Sequence, residues 1–464
     1  MNSQSYSSTE QMKANRFDGY RFYTETIEVS TMSALAFFEA GQAQYEGKRM
    51  FWQNREKSFT MVGLGHAYVL TADDYKGRFS NIQRDWKALS AQLVNEETAV
   101  QPVLFGGFSF DPLNDQPSEW RNYFPQAYFA VPTFQLIIKG EQAYVSVHLI
   151  TKQSNSFTDF EALRKERDRL IHGAQVSEPK AYQKPKVSEK KELKKEEYMR
   201  SIEKVTDVIR AGEVDKVVIA RALELRFKEA LAPASALYQA ANEQPESFLF
   251  GLEAGEQFFF GATPERLVKV EQQKALSTCL AGSTPRGQSV EQDEALGQAL
   301  LNDSKNRSEH QYVVQMIGDV FEEHCSDPRI PQNPKLMKIR DIQHLYTPVE
   351  GKLKKGSSLL DLVEALHPTP ALGGEPKQQA LSLIRSYEPL NRGYYAAPIG
   401  WIDAKGDGEF AVAIRSALLD GDKAYLFAGG GIVADSTPEA EYDETWVKFR
   451  PMLRVLGGNL HDES

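Results

Sequence analysis

The segment SFLFGLEAGEQFFFGATPERLVKVE, Ser247–Glu271, decides the class of fold. Bulky apolar residues dominate the runs Ser247–Glu253, Gln257–Thr263 and Leu267–Glu271, and only Ala254-Gly255-Glu256 and Pro264-Glu265-Arg266 separate them. Short runs rich in Phe and Val and bounded by Gly and Pro predict β-strands. Connections this short join antiparallel neighbours, because a parallel return needs a crossover of about a dozen residues or more.

Working outward, Lys216–Leu225 predicts a further strand, set between helices Tyr198–Ala211 and Pro233–Glu243. A long helix is expected from near Ser289, with a break, to Cys325. The end alternates strands Gly393–Asp403, Glu409–Asp420 and Lys423–Gly429 with a last helix, Pro438–Leu456. In the first third, Thr133–Ile138 and Ala143–Ile150 read as a hairpin about Lys139-Gly140-Glu141-Gln142. Val103–Phe110 (VLFGGFSF) reads as a buried strand whose glycines signal a bulge or a close backbone approach, and Phe160–Ile171 as a charged amphipathic helix. Strands outnumber helices and adjacent ones share short turns, so the class is α+β with large antiparallel sheets, not a doubly wound parallel sheet. Residues 1–15 are polar and expected to be frayed, 16–190 form a β-rich region, and 191–464 a second region joined to it in one intimate domain. The stretch Ala174–Glu196, rich in Lys, Glu and Pro, reads as an exposed connection into a helix; its interspersed glutamates argue for a solvated face and against a nucleic-acid patch.

Among 464 residues, 41% are hydrophobic and 25% charged, as in soluble globular proteins. The net charge of −10 leaves no global positive field for nucleic acid or an anionic membrane, so an anionic ligand must be held locally. Cys279 and Cys325 are too few for a disulfide framework or a cysteine-rich zinc site. No signal-peptide pattern opens the sequence and no apolar stretch reaches membrane-spanning length, so a cytoplasmic enzyme is expected.

The last helix holds the densest set of chemically useful residues. Thr437 suits an N-cap, with Pro438 at the first helical position. Glu441, Glu444 and Lys448 then share one face at spacings of three and four. Gly429-Gly430-Gly431 just before it permits backbone N–H groups to approach an anion, and carboxylates beside such a loop suit Mg²⁺. A solvated charge lattice and an ordinary glycine turn explain the same residues. Glu309 stands among polar residues at a helix entry, which also fits a plain cap; His310 and His344 are individually weak signals. Lys216 opens an apolar strand, where burial would favour the neutral amine of a base, although a solvated strand-edge lysine is the commoner case. Glu265 sits at a strand–turn junction, where a carboxyl can be aimed into a cleft or can simply pair with Arg266.

Together and in this order, KVVIAR (216–221), GATPERL (261–267), CLAGSTPRG (279–287), SKNRSEH (304–310), HLYTPVEG (344–351), LHPTPALGGEPK (366–377), RGYYAAPIGW (392–401), FAVAIRSALL (410–419) and FAGGGIVADSTPEAEYDETWVK (427–448) resemble the chorismate-utilising enzymes, most of all the isochorismate synthases. The resemblance covers residues 195–455; the first ~190 residues match in general character only. It implies the fold shared with anthranilate synthase component I, two large antiparallel sheets packed as a sandwich with helices outside. By matching position, Lys216 is the expected general base and Glu265 the general acid. Glu309 and Glu444 are expected to ligate Mg²⁺, with Glu441 acting through metal-bound water. Gly282, Ser283, His344, Tyr395, Arg415, Lys448 and the backbone of Gly429, Gly430 and Gly431 are expected to hold chorismate. The family often has an acidic residue where Asn306 stands.

Within the family, aminodeoxychorismate synthases carry a lysine where this chain has Ala281, anthranilate synthases need ammonia from a glutaminase, and salicylate synthases typically have threonine where Ala371 stands. The resemblance therefore implies conversion of chorismate to isochorismate, without a glutaminase subunit, by a monomer or weak homodimer. Menaquinone synthesis is the expected pathway, with a siderophore or salicylate route as the alternative.

Overall fold

The computed structural model describes residues 16–458, apart from 74, 95–97, 115–118, 121–122, 153–155, 177–181 and 341. The expected frayed segment 1–15 and part of the 174–196 connection lie outside the described residues. Within them, two antiparallel sheets of 12 and 10 strands carry the fold. The larger runs from Arg21–Val29 through the hairpin Gln142–Thr151 and Phe134–Lys139, then Phe59–Leu64, Arg49–Gln53, Phe248–Ala254, Gln257–Thr263, Ser416–Asp420, Lys423–Ile432 and Lys216–Phe227 to Gly374–Glu375. The smaller has Lys274–Pro285, Arg266–Glu271, Gly408–Val412, Pro398–Asp403 and Val103–Phe108 at its centre. Both sheets draw strands from both regions of the sequence.

The inner faces of the two sheets share one apolar core, in which Trp52 of the larger sheet meets Phe105 of the smaller with ring centroids 6.2 Å apart. A second core, with Phe38, Leu237, Phe260 and Phe449, fills the space between the outer face of the larger sheet and its helices. Strand Lys216–Phe227 is thus covered on both faces, which is why Val217–Ala220 is an unbroken apolar run and even Arg221 and Glu224 are buried. Gly106 marks a close approach, as expected from the glycine pair: a Cβ there would stand 2.0 Å from the Tyr128 carbonyl oxygen.

Several boundaries differ from the sequence reading. The Lys- and Glu-rich connection contains strand Val187–Glu192, which pairs with Lys216–Phe227 at an edge, where charged side chains discourage pairing with another chain. The helix expected over Phe160–Ile171 extends over Ser156–Val176. The run Glu409–Asp420 is two strands, Gly408–Val412 and Ser416–Asp420, one in each sheet. Strand Lys423–Ile432 runs through the triple glycine, which is therefore paired backbone and not a loop. The expected break in the long helix falls at Asp303, whose side chain caps the second segment, Ser304–His324, by accepting from the Asn306 N–H.

His148 lies fully buried on strand Gln142–Thr151, edge-on to Phe22, and neither ring nitrogen has a partner among the described residues. Burial drives its pKa down to about 3, so the folded protein keeps it neutral. The unfolded chain takes up that proton near pH ~6.5, so this site's contribution to stability is complete above that pH and is lost as the pH falls from ~6.5 toward the folded value. His148→Phe is expected to flatten the acid limb by up to ~1.4 kcal/mol per pH unit below about pH 6. Urea unfolding at pH 7, 6 and 5 measures this; parallel wild-type and variant curves contradict it.

Candidate active site

The chain passes from one sheet to the other twice at the same place. Strand Gln257–Thr263 belongs to the larger sheet and Arg266–Glu271 to the smaller, with Pro264-Glu265 between them; Gly408–Val412 and Ser416–Asp420 make the reverse passage through Ala413-Ile414-Arg415. The Val412 N–H donates to the Glu265 carbonyl at 3.0 Å and the Ala262 N–H to the Arg415 carbonyl at 3.0 Å, so the two crossings are tied together. Arg415 adopts φ +49°, the left-handed region unusual for a side-chain-bearing residue, and both Glu265 and Arg415 line a cavity of about 770 Å³.

Burial raises the Glu265 pKa to about 7, against the opposing field of Arg415. A carboxyl so placed can hold its proton at neutral pH and donate it. Lys216, the first residue of its strand, lines the same cavity. Burial, reinforced by Lys448, lowers its pKa, while Glu309, Glu444 and Glu441 pull the other way. The balance favours a neutral amine more than in water, as a proton acceptor requires.

The glycines behind Lys216 play separate parts. A Cβ on Gly431 would stand 2.5 Å from Lys216 Cε, one on Gly430 would stand 2.8 Å from Glu441 Oε2, and the Gly429 carbonyl accepts from Lys448 Nζ at 2.7 Å. Gly429 and Gly431 line the cavity; Gly430 is not in its lining and instead makes room for Glu441. Gly282, at φ +78°, sits in a bulge where the pairing of Lys274–Pro285 with Ile342–Leu353 slips between Leu280 and Ser283. The slip turns Ser283 toward the cavity.

His344, Ala371 and Tyr395 also line it. Burial lowers the His344 pKa to about 4, so its ring is neutral near pH 7; its Nε2 has no hydrogen-bond partner among the described residues. Burial raises the Tyr395 hydroxyl to about 12, which keeps it a proton donor. His310 is structural: Nε2 meets Thr347 Oγ1 at 2.7 Å and Nδ1 the Ala281 carbonyl at 3.0 Å, locking the helix that carries Glu309 onto the sheet.

Glu309, Glu441 and Glu444 face the cavity from two helices. Glu441 Oε1 accepts from Ser436 Oγ at 2.6 Å, whereas its Oε2 is buried without a partner among the described residues; Glu444 pairs with Lys448 at 2.6 Å. Among those residues no cluster of three or more His, Cys, Asp or Glu is gathered closely enough to hold a metal on protein ligands alone. An orphaned carboxylate oxygen and a sparse all-oxygen donor set fit a hard cation that completes its shell with water and substrate, such as Mg²⁺.

The sequence reading gave no role to the pair Glu388–Arg392, which is at most 1% exposed and held at 2.6 Å. Arg392 also donates to the Leu372 and Val218 carbonyls, and Glu388 accepts from the Ala220 N–H, so the pair joins the Lys216 strand to the Ala371 segment. The signal available in the sequence was the spacing of four between opposite charges.

A family model described as chorismate binding enzyme matches residues 8–457. The chain belongs to the chorismate-binding enzymes. It is 40% identical over 439 residues to the isochorismate synthase MenF of Bacillus subtilis, covering 93% of this chain and 92% of that protein. It is 34% identical to the salicylate biosynthesis isochorismate synthase of Pseudomonas aeruginosa, over 93% of this chain and 90% of that one. Among solved structures, MenF, the menaquinone-specific isochorismate synthase from Escherichia coli, superposes with a TM-score of 0.78 at 25% identity, covering 94% of each chain. The expected α+β fold of this family, with its two large antiparallel sheets, is the fold observed.

Because the space Gly431 leaves is taken by the flexible end of Lys216, Gly431→Ala is expected to move that amine without breaking packed backbone. A displaced reacting group costs ~10²-fold per ångström, so chorismate turnover should fall ~10²-fold while the melting temperature shifts little. Parallel kinetics and calorimetry check this; full activity would separate Gly431 from the amine.

Proposed function

We propose that this chorismate-binding enzyme is an isochorismate synthase. The observation that carries the reading is that Glu265, its pKa raised to about 7, and Lys216, made easier to deprotonate, line one cavity in a chain 40% identical to a known isochorismate synthase. Chorismate carries two carboxylates, for which Arg415, Lys448 and the Tyr395 hydroxyl supply donors. The neutral His344 ring and Ser283 add uncharged polar contacts. Lys216 takes a proton from water, which bonds to ring C2; the double bonds shift and the C4 hydroxyl leaves with a proton from Glu265. One water enters and one departs, so the change is an isomerisation.

Glu309 and Glu444 would hold Mg²⁺, with Glu441 acting through its water shell. The ion would supply charge neutralisation at the ring carboxylate and polarise the diene. No ammonia enters, so no glutaminase subunit is required. Ala371 offers a methyl group where a hydroxyl donor would help hold isochorismate for loss of pyruvate. We assign the product to menaquinone synthesis, in line with the Bacillus and Escherichia relatives; the Pseudomonas relative favours a salicylate route as the second reading. No helix of the described residues is long and apolar enough to cross a membrane, which accords with the proposed cytoplasmic location. We propose a monomer or weak homodimer.

In ¹⁸O-labelled water with Mg²⁺, the expected product is isochorismate labelled at C2, and Lys216→Ala and Glu265→Gln should each lose ~10²–10⁴-fold in rate. Stoichiometric salicylate and pyruvate, or an unlabelled C2 oxygen, would sink the proposal.

The pH dependence of kcat/KM follows from the same pair. Glu265 must be protonated, so activity should fall as the pH rises through its value of about 7; Lys216 must be neutral, so activity should fall on the acid side. Glu265→Gln keeps no titrating group there, and its residual rate should lose the alkaline limb. An alkaline limb unchanged in that variant would assign it to another group.

A further inference from the structure

Outside the cavity, the side chain of Arg221 is enclosed in a cage built from three elements, helices Pro438–Val455 and Lys195–Arg210 and strand Val187–Glu192. Its guanidinium carbon lies 4.4 Å from the Tyr442 ring centroid, 4.9 Å from Trp446, 5.1 Å from Phe449 and 5.7 Å from Tyr198. Nε donates to Thr445 Oγ1 at 2.7 Å and Nη1 to Glu192 Oε2 at 2.7 Å, while Glu192 also accepts from the Tyr442 hydroxyl. The Arg221 side chain is 0% exposed, and Nη2 has no partner among the described residues.

A buried cation with one donor face unsatisfied is a poor way to gain stability, since desolvation offsets most of the attraction. What the arrangement does fix is orientation. Tyr442, Thr445, Trp446 and Phe449 form one stripe of helix Pro438–Val455, and all of them touch Arg221. The adjoining stripe of the same helix carries Glu441, Glu444 and Lys448 into the cavity. Arg221 itself stands on the strand that begins with Lys216. A planar guanidinium that stacks and donates in fixed directions is sensitive to rotation in a way a lysine is not.

We propose that Arg221 is a positioning residue, which sets the rotation of helix Pro438–Val455 about its axis and so the placement of Glu441, Glu444 and Lys448 opposite Lys216. A rotation of ~20° moves a side chain by about 2 Å at the helix surface, which the near-ideal octahedral shell of Mg²⁺ does not tolerate. The inference rests on the isochorismate synthase reading for the identity of the ligands, not for the cage.

The test uses the full chain with the double substitution Arg221→Met, Glu192→Gln, which removes both charges, and separately Thr445→Val, which removes the Arg221 hydrogen bond and the one Thr445 donates to the Tyr442 carbonyl within its own helix, and leaves Arg221 in place. Calorimetric titration of Mg²⁺ in the presence of chorismate should show at least tenfold weaker binding in the double variant, with kcat down by 10–100-fold, as partners behind metal ligands typically cost. Thr445→Val should shift both in the same direction by less, and melting temperatures should stay within a few degrees of wild type. Unchanged Mg²⁺ affinity in a folded variant overturns the proposal, as does lost activity that returns fully at a temperature where the variant is folded. If the double variant does not fold, Thr445→Val decides alone by the same two measures. A wild-type enzyme that binds Mg²⁺ and chorismate but releases another product would overturn the functional reading and leave the calorimetric comparison standing.

Discussion

Everything in the site depends on one pair of crossings between the sheets. A strand that leaves one sheet for another gives up its ladder partners, and the freed backbone must find others or lose stability. Here each crossing satisfies the other, through Val412 to Glu265 and Ala262 to Arg415. The consequence is that an acid and a cation, 150 residues apart in the chain (415 − 265), reach the same cavity on backbone that cannot shift independently. The left-handed turn at Arg415 is tolerated because the hydrogen bond on its own carbonyl holds it.

The second constraint is electrostatic. The cavity gathers Lys216, Arg415 and Lys448 with Glu265, Glu309, Glu441 and Glu444 inside a chain of net charge −10. Water would pin the carboxyls and amines in their ordinary ionised forms. Burial instead raises the Glu265 pKa to about 7 and lowers that of Lys216, so the two move toward each other. The opposing charges are local too: Arg415 restrains the rise at Glu265, and Glu309 restrains the fall at Lys216.

Much of this was legible in the sequence. Strands Phe248–Ala254 and Gln257–Thr263 pair antiparallel as their short connection implies, whereas the equally short Pro264-Glu265 carries the chain into the other sheet instead of joining neighbours; Thr437-Pro438 marked the start of the last helix to the residue. What stayed hidden depended on contacts distant in sequence. Nothing local in Glu409–Asp420 says that Ala413-Ile414-Arg415 changes sheets, because the apolar pattern continues across it. The triple glycine looked like a loop by propensity, yet Lys216 and Glu441 need the missing side chains, so tertiary packing keeps it in the strand. The cage around Arg221 was equally unreadable, since it joins residues from 192 to 449.

Ala371 gives the molecule a further property. It stands in the short turn between helix Leu359–Leu366 and strand Gly374–Glu375, half-buried and facing the cavity, while His367 and Leu372 on either side are buried in the core. The segment is held from behind, by the Arg392 guanidinium on the Leu372 carbonyl and by the His367 ring on the Phe110 carbonyl. The side chain at 371 packs partly against the core and partly faces the cavity, while the segment's anchoring comes from backbone carbonyls and its neighbours. A substitution there would therefore alter the surface offered to a bound molecule more than the hold on the segment itself.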